Sequence, residues 1–446
     1  MNLIFYILRS LLWFLEVIFL IGNVNMVVFY ISLLSNRLSN NVPFALFPMA
    51  IVYNVDDEKS EHKNIARDRY EDGEYPYITI LIPAFDESTV IERTIERFMK
   101  VDYPQDRYEI LIATYESDNS TRDVVKKHMK IYSNVREAVN PKLPPTSKAQ
   151  NVNNAYLYVN KKTEIIGLHD AEDIVSDNIL RSIVSEIKDK NCIQIKVVVD
   201  VNKNSTLTEI ASATGFARYY NFSVLGKESI GHLIFSSGTG TYIKKDVLDK
   251  LILTNGFFLD EKILVEDFEL SLRLAKIGHK IVYNPISEVR EKFPNKFSLA
   301  VRQRTRWALG NMQIFDQYGV ANKFSLNERI GLFMDLLCFN AQVLWVVALF
   351  ISLTCVIAPM FMSMPILQIG SPLWYISTAN TIIGLEKIIT AQIFLRKGND
   401  VKIKYHRVIL SVILNDIINT VAFIKASYRY SISQKKQFSW DKTQHM

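Results

Sequence analysis

Residues 165–173 read IIGLHDAED, a short apolar run that leads into three carboxylates within four positions. The pattern predicts a buried strand followed by a turn, and the ligands of an open α/β sheet lie at the carboxyl ends of its strands. Asp170 and Glu172 on one short turn suit a hard cation such as Mg²⁺ or Mn²⁺, which takes its other ligands from water and substrate phosphates. A solvated acidic turn that caps the next helix is the alternative interpretation of this stretch alone.

Two strand–turn units precede this stretch. Residues 77–83 form a continuous apolar strand that ends in an acidic turn, and residues 108–113 form a second strand that runs into another polar turn. A capping-box pair, Thr89 and Glu92, predicts that the helix between them begins at Thr89. The alternation predicts a doubly wound, mostly parallel α/β sheet. The absence of G-x-G-x-x-G and G-x-x-x-x-G-K-S from the sequence argues against a dinucleotide cofactor and a P-loop ATPase.

A lysine opens the helix that precedes the acidic stretch. Residues 146–151 read TSKAQN, and Lys148 falls in the first turn, where free backbone N–H groups favour a diphosphate. A solvated surface lysine is the alternative, because charged residues are mostly exposed. After the acidic stretch, the pattern predicts a helix at about residues 179–188 and a fourth strand at residues 192–199.

Two later segments add candidate functional residues. Residues 236–241 read SSGTGT, a small and flexible segment that would let an acceptor approach the backbone closely. Glu266 and Asp267 open an amphipathic helix that ends at Gly278. The two carboxylates either stabilise the positive end of the helix dipole or include a general base.

The stretch before the C-terminal apolar region combines basic and aromatic residues. Residues 301–310 read VRQRTRWALG and predict an amphipathic helix at a membrane surface. Anionic lipid headgroups would explain Arg302 and Lys296 there, but they would not explain Gln303 and Trp307 as a set.

Apolar residues are concentrated at the two ends of this 446-residue chain, of which 49% is hydrophobic. Leu3 to Leu34 is almost continuously apolar and has no small-residue cleavage site, so it predicts an anchor of one or two helices. Three C-terminal stretches reach the length of a membrane span, at about residues 330–360, 373–395 and 408–424. We expect four or five spans, with buried helices of a soluble protein as the alternative.

Charge and cysteine content restrict the class of protein. The net charge of +6 arises from 52 basic and 46 acidic residues, a mixture that does not indicate a nucleic-acid partner. Basic residues flank the apolar segments, so the positive-inside rule places the large polar region on the cytoplasmic side of the plasma membrane, in a multi-pass protein that contacts membrane lipids. Three cysteines form no disulfide framework and no zinc-binding spacing, as expected in a reducing compartment.

The motifs, taken in order, point to one family. The chain shows P-A-F-D-E, S-K-A-Q-N, D-A-E-D, G-T-G, an E-D that opens a helix, and Q-R-T-R-W before a membrane cluster. Over about residues 77–310 this series resembles membrane-bound family 2 glycosyltransferases of the cellulose and hyaluronan synthase-like type. The L-H-D-A-E-D and P-T-S-K stretches look most like the bacterial inner-membrane glycosyltransferases named for phage adsorption.

The resemblance implies a GT-A fold, with a Rossmann-like sheet domain flanked by interfacial and transmembrane helices, and an inverting direct-displacement reaction. It implies that Asp267, beside Glu266, is the general base, with a pKa raised by burial and neighbouring carboxylates. It places Mg²⁺ or Mn²⁺ on Asp170 and Glu172. It assigns the nucleotide-sugar donor to Ala84, Asp86, Glu87, Asp118, Lys148, Asp170, Arg304 and Arg306, and the glycan or lipid-linked acceptor to Gly238, Thr239, Gly240, Gln303 and Trp307.

Two departures from the family pattern concern the donor site. The usual D-x-D reads D-A-E here, which is a conservative change for a hard-cation site. The second acidic turn, commonly D-D-G-S, reads ESDNS at residues 116–120, which leaves the choice between UDP and GDP open.

The expected domain organisation follows from the motifs and the apolar segments. It comprises an N-terminal anchor at 1–35, a linker at 36–76, a cytoplasmic GT-A domain at 77–290, interfacial helices at 291–327, a C-terminal transmembrane region at 328–428 and a basic tail at 429–446.

Three functional hypotheses are compatible with this domain organisation. The first hypothesis is a processive synthase that extends a polysaccharide and passes it through its own spans. The second is an enzyme that adds one sugar, such as mannose, to a membrane lipid. The third is a catalytically inactive receptor or scaffold, and the intact set of polar motifs argues against it.

Overall fold

The computed structural model describes residues 6–7, 9–17, 20, 75–143, 147–318, 324–341, 345–361, 368–398 and 403–433. The expected linker at 36–76, apart from its last two residues, lies outside this part of the chain. So do most of the expected N-terminal anchor and the tail beyond residue 433.

The sheet contains eight strands. They are β1 Ile78–Pro83, β2 Tyr108–Tyr115, β3 Val135–Asn140, β4 Ile165–Leu168, β5 Ile174–Val175, β6 Cys192–Val199, β7 Thr241–Lys244 and β8 Ile281–Glu291. Their order is β3-β2-β1-β4-β7-β6-β8-β5. The pairs β3–β2, β2–β1, β1–β4 and β6–β8 are parallel, and the pairs made by β7 and β5 are antiparallel. The doubly wound, mostly parallel sheet is thereby confirmed.

The direction in which successive strands are added changes between β1 and β4. Strands β2 and β3 extend the sheet on one side of β1, and β4 pairs with β1 on the other side. Ligands of open α/β sheets bind at this kind of switch point, outside the carboxyl ends of the strands. The turns after β1 and β4, which contain Asp86 and Asp170, are therefore brought together by the topology.

Nine helices accompany the sheet in the described part of the catalytic region. They are α1 Ile91–Phe98, α2 Asn119–Met129, α3 Lys148–Tyr156, α4 Ile179–Ile187, α5 Leu207–Arg218, α6 Leu225–Ser229, α7 Lys245–Asn255, α8 Glu266–Lys276 and α9 Phe297–Tyr318. A π-helical segment, Tyr219–Val224, joins α5 to α6. All eight residues of β2 are buried, as expected for a strand covered by helices on both faces.

The prediction that α1 begins at a Thr89–Glu92 capping box is wrong. The helix begins at Ile91, and Val90 at its N-cap makes no side-chain cap. The carbonyl of Glu87 accepts hydrogen bonds from the N–H groups of Val90 and Ile91, each at 3.0 Å, and so closes the first turn without a threonine. A capping box does form at α5, where Thr206 and Glu209 satisfy each other's backbone N–H groups.

Four helices follow the catalytic region: α10 Leu326–Ala341, α11 Trp345–Phe361, α12 Pro372–Gly398 and α13 Tyr405–Ile432. Among the described residues, α13 is the one helix that is both long and apolar enough to cross a bilayer. The apolar part of α11, Ala348–Phe361, is shorter. The expected count of four or five spans therefore stays a prediction.

Helix α13 also packs on the catalytic region. Ile418 and Ala422 of α13 form a buried cluster with Ala211 of α5 and with Ala300 and Val301 of α9. Small side chains at this contact let the three helices approach closely. The helix that carries Q-R-T-R-W is thereby joined to the membrane-spanning candidate.

Candidate active site

The acidic turn after β4 is supported from beneath by Asp173, which is fully buried. Its Oδ2 accepts hydrogen bonds from the backbone N–H of Asp170, at 3.1 Å, and from the hydroxyl of Thr239. Nδ1 of His169 lies 2.7 Å from the same oxygen. The three carboxylates of this stretch therefore have different roles. Asp173 is bonded within the protein and holds the turn that carries Asp170 and Glu172.

The carboxylates around this turn fit a divalent cation. Burial raises the pKa of Glu172 well above its ordinary value, and the charges of Asp170 and Glu87 raise it further. Crowded carboxylates of this kind favour a cation or a proton between them. Among the described residues, the buried oxygens Asp173 Oδ1 and Glu291 Oε1 have no hydrogen-bond partner. Glu291 ends β8 and interacts electrostatically with Asp173 and Asp170. No sequence motif marks it, because its position depends on the pairing of β8 with β6.

A second group of possible metal ligands lies elsewhere. Glu92, Glu96 and His128 have donor atoms within 4.8 Å of one another, on α1 and α2. Both carboxylates are exposed, and Glu92 pairs with Lys127 at 3.2 Å. A solvated ion pair accounts for this group.

Lys148 lies in the first turn of α3, and the surface-lysine alternative is wrong. Its ammonium group donates to a carboxylate oxygen of Asp170 and, at 2.8 Å, to the carbonyl of Gly238. Only 18% of its side chain is exposed. Burial lowers its pKa, but the charges of Asp170, Glu266 and Asp267 raise it more, so the net shift is upward. The ammonium group therefore stays charged and lies among three candidate functional carboxylates.

The turn after β1 brings Ala84, Asp86 and Glu87 to the switch point. Ala84 is buried, and its N–H donates to the carbonyl of Ala113 at 2.8 Å. Asp86 has φ +57°, the one positive φ of a non-glycine residue in the described chain, and its side chain is exposed. Aspartate tolerates this region better than most residues, and such strain is concentrated at functional sites. Glu87 is nearly buried and adds to the charge around Glu172.

Asp118 is the N-cap of α2, and its carboxylate is occupied by the protein itself. Its Oδ1 accepts from the N–H of Thr121 at 3.2 Å, and its Oδ2 accepts from the N–H of Asp86 at 2.6 Å. Burial raises the pKa of Asp118, but hydrogen bonds from Thr121 and Asp86 outweigh it, so the pKa is lowered. Asp118 thus holds the strained turn at Asp86, whose own side chain is exposed.

Glu266 and Asp267 form the first turn of α8, where the predicted helix begins. Asp267 is partly exposed, and its Oδ2 is oriented towards Gly238, where an added Cβ would lie 2.9 Å from that oxygen. Burial raises the pKa of Asp267 despite the opposing charge of Lys148. Burial and the charge of Asp267 raise the pKa of Glu266 to about 7. The expected upward shift at Asp267 is confirmed in direction.

The three residues of G-T-G have different surroundings. Gly238 lies between Asp267 and Lys148 with φ +80°. Thr239 is buried and its hydroxyl donates to Asp173, and a Cβ on Gly240 would lie 2.5 Å from Ile195. Thr239 and Gly240 therefore lie in the protein interior, so the expectation that they contact an acceptor is corrected. Gly238 is buried as well, but it borders Asp267 and Lys148, so that role stays a prediction for Gly238.

The two arginines of Q-R-T-R-W occupy different environments. Arg306 donates to the carbonyl of Leu264 at 3.1 Å, and its charge lowers the pKa of Glu266 and of Asp267. In the described structure, its buried Nε has no hydrogen-bond partner. A buried donor beside the two carboxylates leaves Arg306 available to an anionic ligand.

Arg304 is oriented away from those carboxylates. Its guanidinium group lies 4.0 Å from the centre of the Trp307 ring, and no carboxylate contributes to its pKa, which burial lowers to about 9. The expectation that Arg304 and Arg306 act on the same diphosphate is therefore wrong. Gln303 is buried, and within the described residues its Oε1 has no partner.

Comparisons with known proteins identify the family of the catalytic region. The family model described as "Glycosyltransferase like family 2" matches residues 76–310. A probable glycosyltransferase YdaM of Bacillus subtilis is 23% identical over 66% of this chain and 76% of its own length. Bacteriophage adsorption protein B of Escherichia coli is 27% identical over 63% of this chain. That region is 42% of the relative's length, so the chain spans less than half of that protein.

A solved structure shares the fold. The mannosyltransferase PcManGT from Pyrobaculum calidifontis, in complex with GDP-Man and Mn²⁺, superposes with a TM-score of 0.54 at 15% identity. The match covers 86% of this chain and 98% of the mannosyltransferase. Together with the family match, it identifies the sheet domain as GT-A. The chain belongs to the glycosyltransferase-like family 2 and is a GT-A glycosyltransferase.

Proposed function

We propose that this enzyme transfers a sugar, with inversion, from a UDP- or GDP-sugar to a glycan or lipid-linked acceptor at the cytoplasmic face of the membrane. The observation that supports this proposal most strongly is the position of Lys148. It joins the metal-binding turn at Asp170 to Gly238, directly beside the carboxylate of Asp267. The proposed donor, cation and base would thus lie within one small site at the switch point of the sheet.

The donor would lie across the turns after β1 and β4. Asp86 faces the nucleoside side, and Lys148 and Arg306 supply positive charge for the diphosphate. Asp170 and Glu172 would hold Mg²⁺ or Mn²⁺ on the same diphosphate. When bound, the ion stabilises the negative charge that develops on the leaving nucleoside diphosphate.

Asp267 would act as the general base. The acceptor hydroxyl attacks the anomeric carbon and forms the new glycosidic bond, while the bond from that carbon to the diphosphate oxygen breaks. The hydroxyl proton passes to Asp267, and the electron pair of the broken bond leaves with the nucleoside diphosphate. A raised pKa makes Asp267 a better proton acceptor near neutral pH than an ordinary aspartate.

The acceptor would approach beside Gly238, Gln303 and Trp307. Gln303 has an unpartnered buried oxygen, among the described residues, that can accept from a sugar hydroxyl. Trp307 offers an aromatic face to a sugar ring. Single transfer to a membrane lipid is the form of the reaction that we favour, because α9 is packed on the apolar helix α13 and so lies beside the membrane region.

This proposal includes the expected domain organisation. The end of β8 at Glu291 and the start of α9 at Phe297 support a boundary near residue 290 between the GT-A domain and the interfacial helices. Plasma-membrane location, several spans and a cytoplasmic catalytic domain belong to the same proposal.

The test is nucleoside diphosphate release by the full-length protein in detergent, with a panel of UDP- and GDP-sugars and Mg²⁺ or Mn²⁺. Membrane lipid extract supplies the acceptor. Metal-dependent release from one donor, with a product of one added sugar, is expected. A ladder of products would show a processive synthase, and a failure of every donor to bind would contradict the proposed donor class.

A further inference from the structure

Arg304 is a buried cation without an anionic partner. Arg304 is 5% exposed. Among the residues that the structure describes, its side chain has neither a hydrogen bond nor an ion pair. Its guanidinium group is surrounded instead by the rings of Trp307, Phe216 and Phe293, at 4.0, 5.5 and 5.8 Å. Cation–π contacts offset part of the cost of burial, but they leave all of its N–H donors without acceptors.

The helix geometry separates Arg304 from the donor site. Arg304 and Arg306 are two positions apart on α9, which places their side chains roughly 200° apart around the helix. Arg306 faces Glu266 and Asp267 and affects the pKa of both, whereas the pKa of Arg304 responds to burial alone. The two cations therefore serve different ligands.

The surroundings of Arg304 connect the catalytic domain to the C-terminal helices. Phe293, Phe216 and Trp307 belong to one apolar cluster. That cluster includes Ala391 and Leu395 of α12, and Val408 and Val412 of α13. These four side chains are buried in the packed cluster, and the same two helices also carry exposed apolar side chains, among them Ile389 of α12 and Leu410 of α13.

We propose that Arg304 binds the phosphate group of a lipid-phosphate acceptor whose chains lie along the exposed apolar faces of α12 and α13. The planar guanidinium group offers paired donors that match phosphate oxygens. Trp307 is three positions from Arg304 and stacks on it, so a phosphate on Arg304 would place the attached acceptor hydroxyl group near the indole ring. This inference rests on the proposed transfer to a membrane acceptor and names the chemical class of that acceptor.

The experiment measures binding of soluble short-chain lipids to the full-length protein in a neutral detergent. Dioctanoyl phosphatidic acid provides chains and phosphate, dioctanoylglycerol provides the chains alone, and glycerol 3-phosphate provides the phosphate alone. Arg304→Gln removes the cation. Arg304→Lys keeps the positive charge but removes the paired N–H donors of the guanidinium group. Arg107→Gln, at an exposed position before β2, is the matched control, and UDP and GDP binding are measured beside each variant.

The expected result is that phosphatidic acid binds to the wild type at least tenfold more tightly than either partial compound. Arg304→Gln should lose that tenfold preference, Arg304→Lys should lose part of it, and Arg107→Gln should keep it. Nucleoside diphosphate affinity should be unchanged in both Arg304 variants, which also shows that the donor site remains folded.

Three results would overturn the inference. One is equal binding of phosphatidic acid and dioctanoylglycerol, and another is equal binding of phosphatidic acid and glycerol 3-phosphate. The third is loss of nucleoside diphosphate binding in Arg304→Gln, which would return Arg304 to the donor site. A wild type that binds the lipid phosphate through Arg304 but binds no nucleoside diphosphate would contradict the proposed donor and leave this inference standing.

Discussion

Lys148 and Asp170, which lie 22 positions apart, form an ion pair between the first turn of α3 and the turn after β4. The pair places one ammonium group within electrostatic reach of the carboxylates of Glu266 and Asp267 as well. Lys148 therefore opposes the upward pKa shifts of the two acids, and in the proposed function it also attracts the donor diphosphate.

Replacement of this lysine should affect both binding and the pH profile. In Lys148→Met we expect the affinity for the donor to fall by about ten- to a hundredfold, since a charge-assisted hydrogen bond contributes roughly 1.5 to 3 kcal/mol. We also expect the acid limb of kcat/KM to move to higher pH, because the loss of a nearby cation raises the pKa of Asp267. Isothermal titration and a pH–rate profile measure the two effects. Lys161→Met, at an exposed position, should change neither quantity.

Asp267→Asn tests the base directly. The amide cannot accept the acceptor proton, so we expect turnover to fall by about 10²- to 10⁴-fold while donor affinity stays within a few-fold of the wild type. Nucleoside diphosphate release and equilibrium donor binding measure the two quantities on the same preparation. Asp189→Asn, on an exposed loop, is the matched control. Full turnover in Asp267→Asn would exclude this residue as the base.

Local patterns were sufficient to predict the elements that position the site. The buried strands β1, β2 and β4, the start of α3 at Lys148 and the start of α8 at Glu266 each follow from apolar runs and from polar residues next to them. Such features depend on residues adjacent in sequence, and therefore they are visible before the fold is known.

Roles that depend on long-range packing were not visible in the sequence. The sequence did not show that the carboxylate of Asp173 accepts a hydrogen bond from Thr239, which lies in the loop before β7 and 66 positions away. Arg304 and Arg306 looked equivalent because the sequence does not show which helices cover each face of α9. Glu291 had no motif, since its place beside Asp170 follows from the register of β8 on β6.

Glu266 should make stability depend on pH. Its pKa in the folded protein is about 7, above the ordinary value of 4.5, so the folded state binds this proton more tightly than the unfolded state does. Protonation therefore favours folding, and stability should be lost as the pH rises from about 4.5 to about 7. We expect Glu266→Gln to be more stable than the wild type at pH 8, by on the order of 1 to 3 kcal/mol, and similar to it near pH 5.

Thermal unfolding of the two proteins at several pH values measures this difference. Glu269→Gln provides the contrast on the same helix, because Glu269 is fully buried and accepts from Arg273 at 2.7 Å. Loss of that partner leaves a buried cation unpaired, so this variant should be destabilised by about 3 to 5 kcal/mol. A Glu266→Gln variant that is less stable than the wild type at pH 8 would contradict the predicted sign.

Alanine substitutions at Gly238 and Gly256 can distinguish the effect of backbone strain on stability from the effect of a blocked active site on turnover. Both have a positive φ, +80° and +87°, so an alanine at either position should cost about 1 to 2 kcal/mol of stability. An alanine Cβ at Gly256 meets nothing within 4 Å, whereas at Gly238 it would lie 2.9 Å from Asp267 Oδ2 and 3.3 Å from Lys148 Nζ. We therefore expect similar losses of thermal stability in Gly238→Ala and Gly256→Ala, but a fall in kcat of at least tenfold in Gly238→Ala alone. Equal activity of the two variants would mean that the backbone at Gly238 does not border the reacting groups.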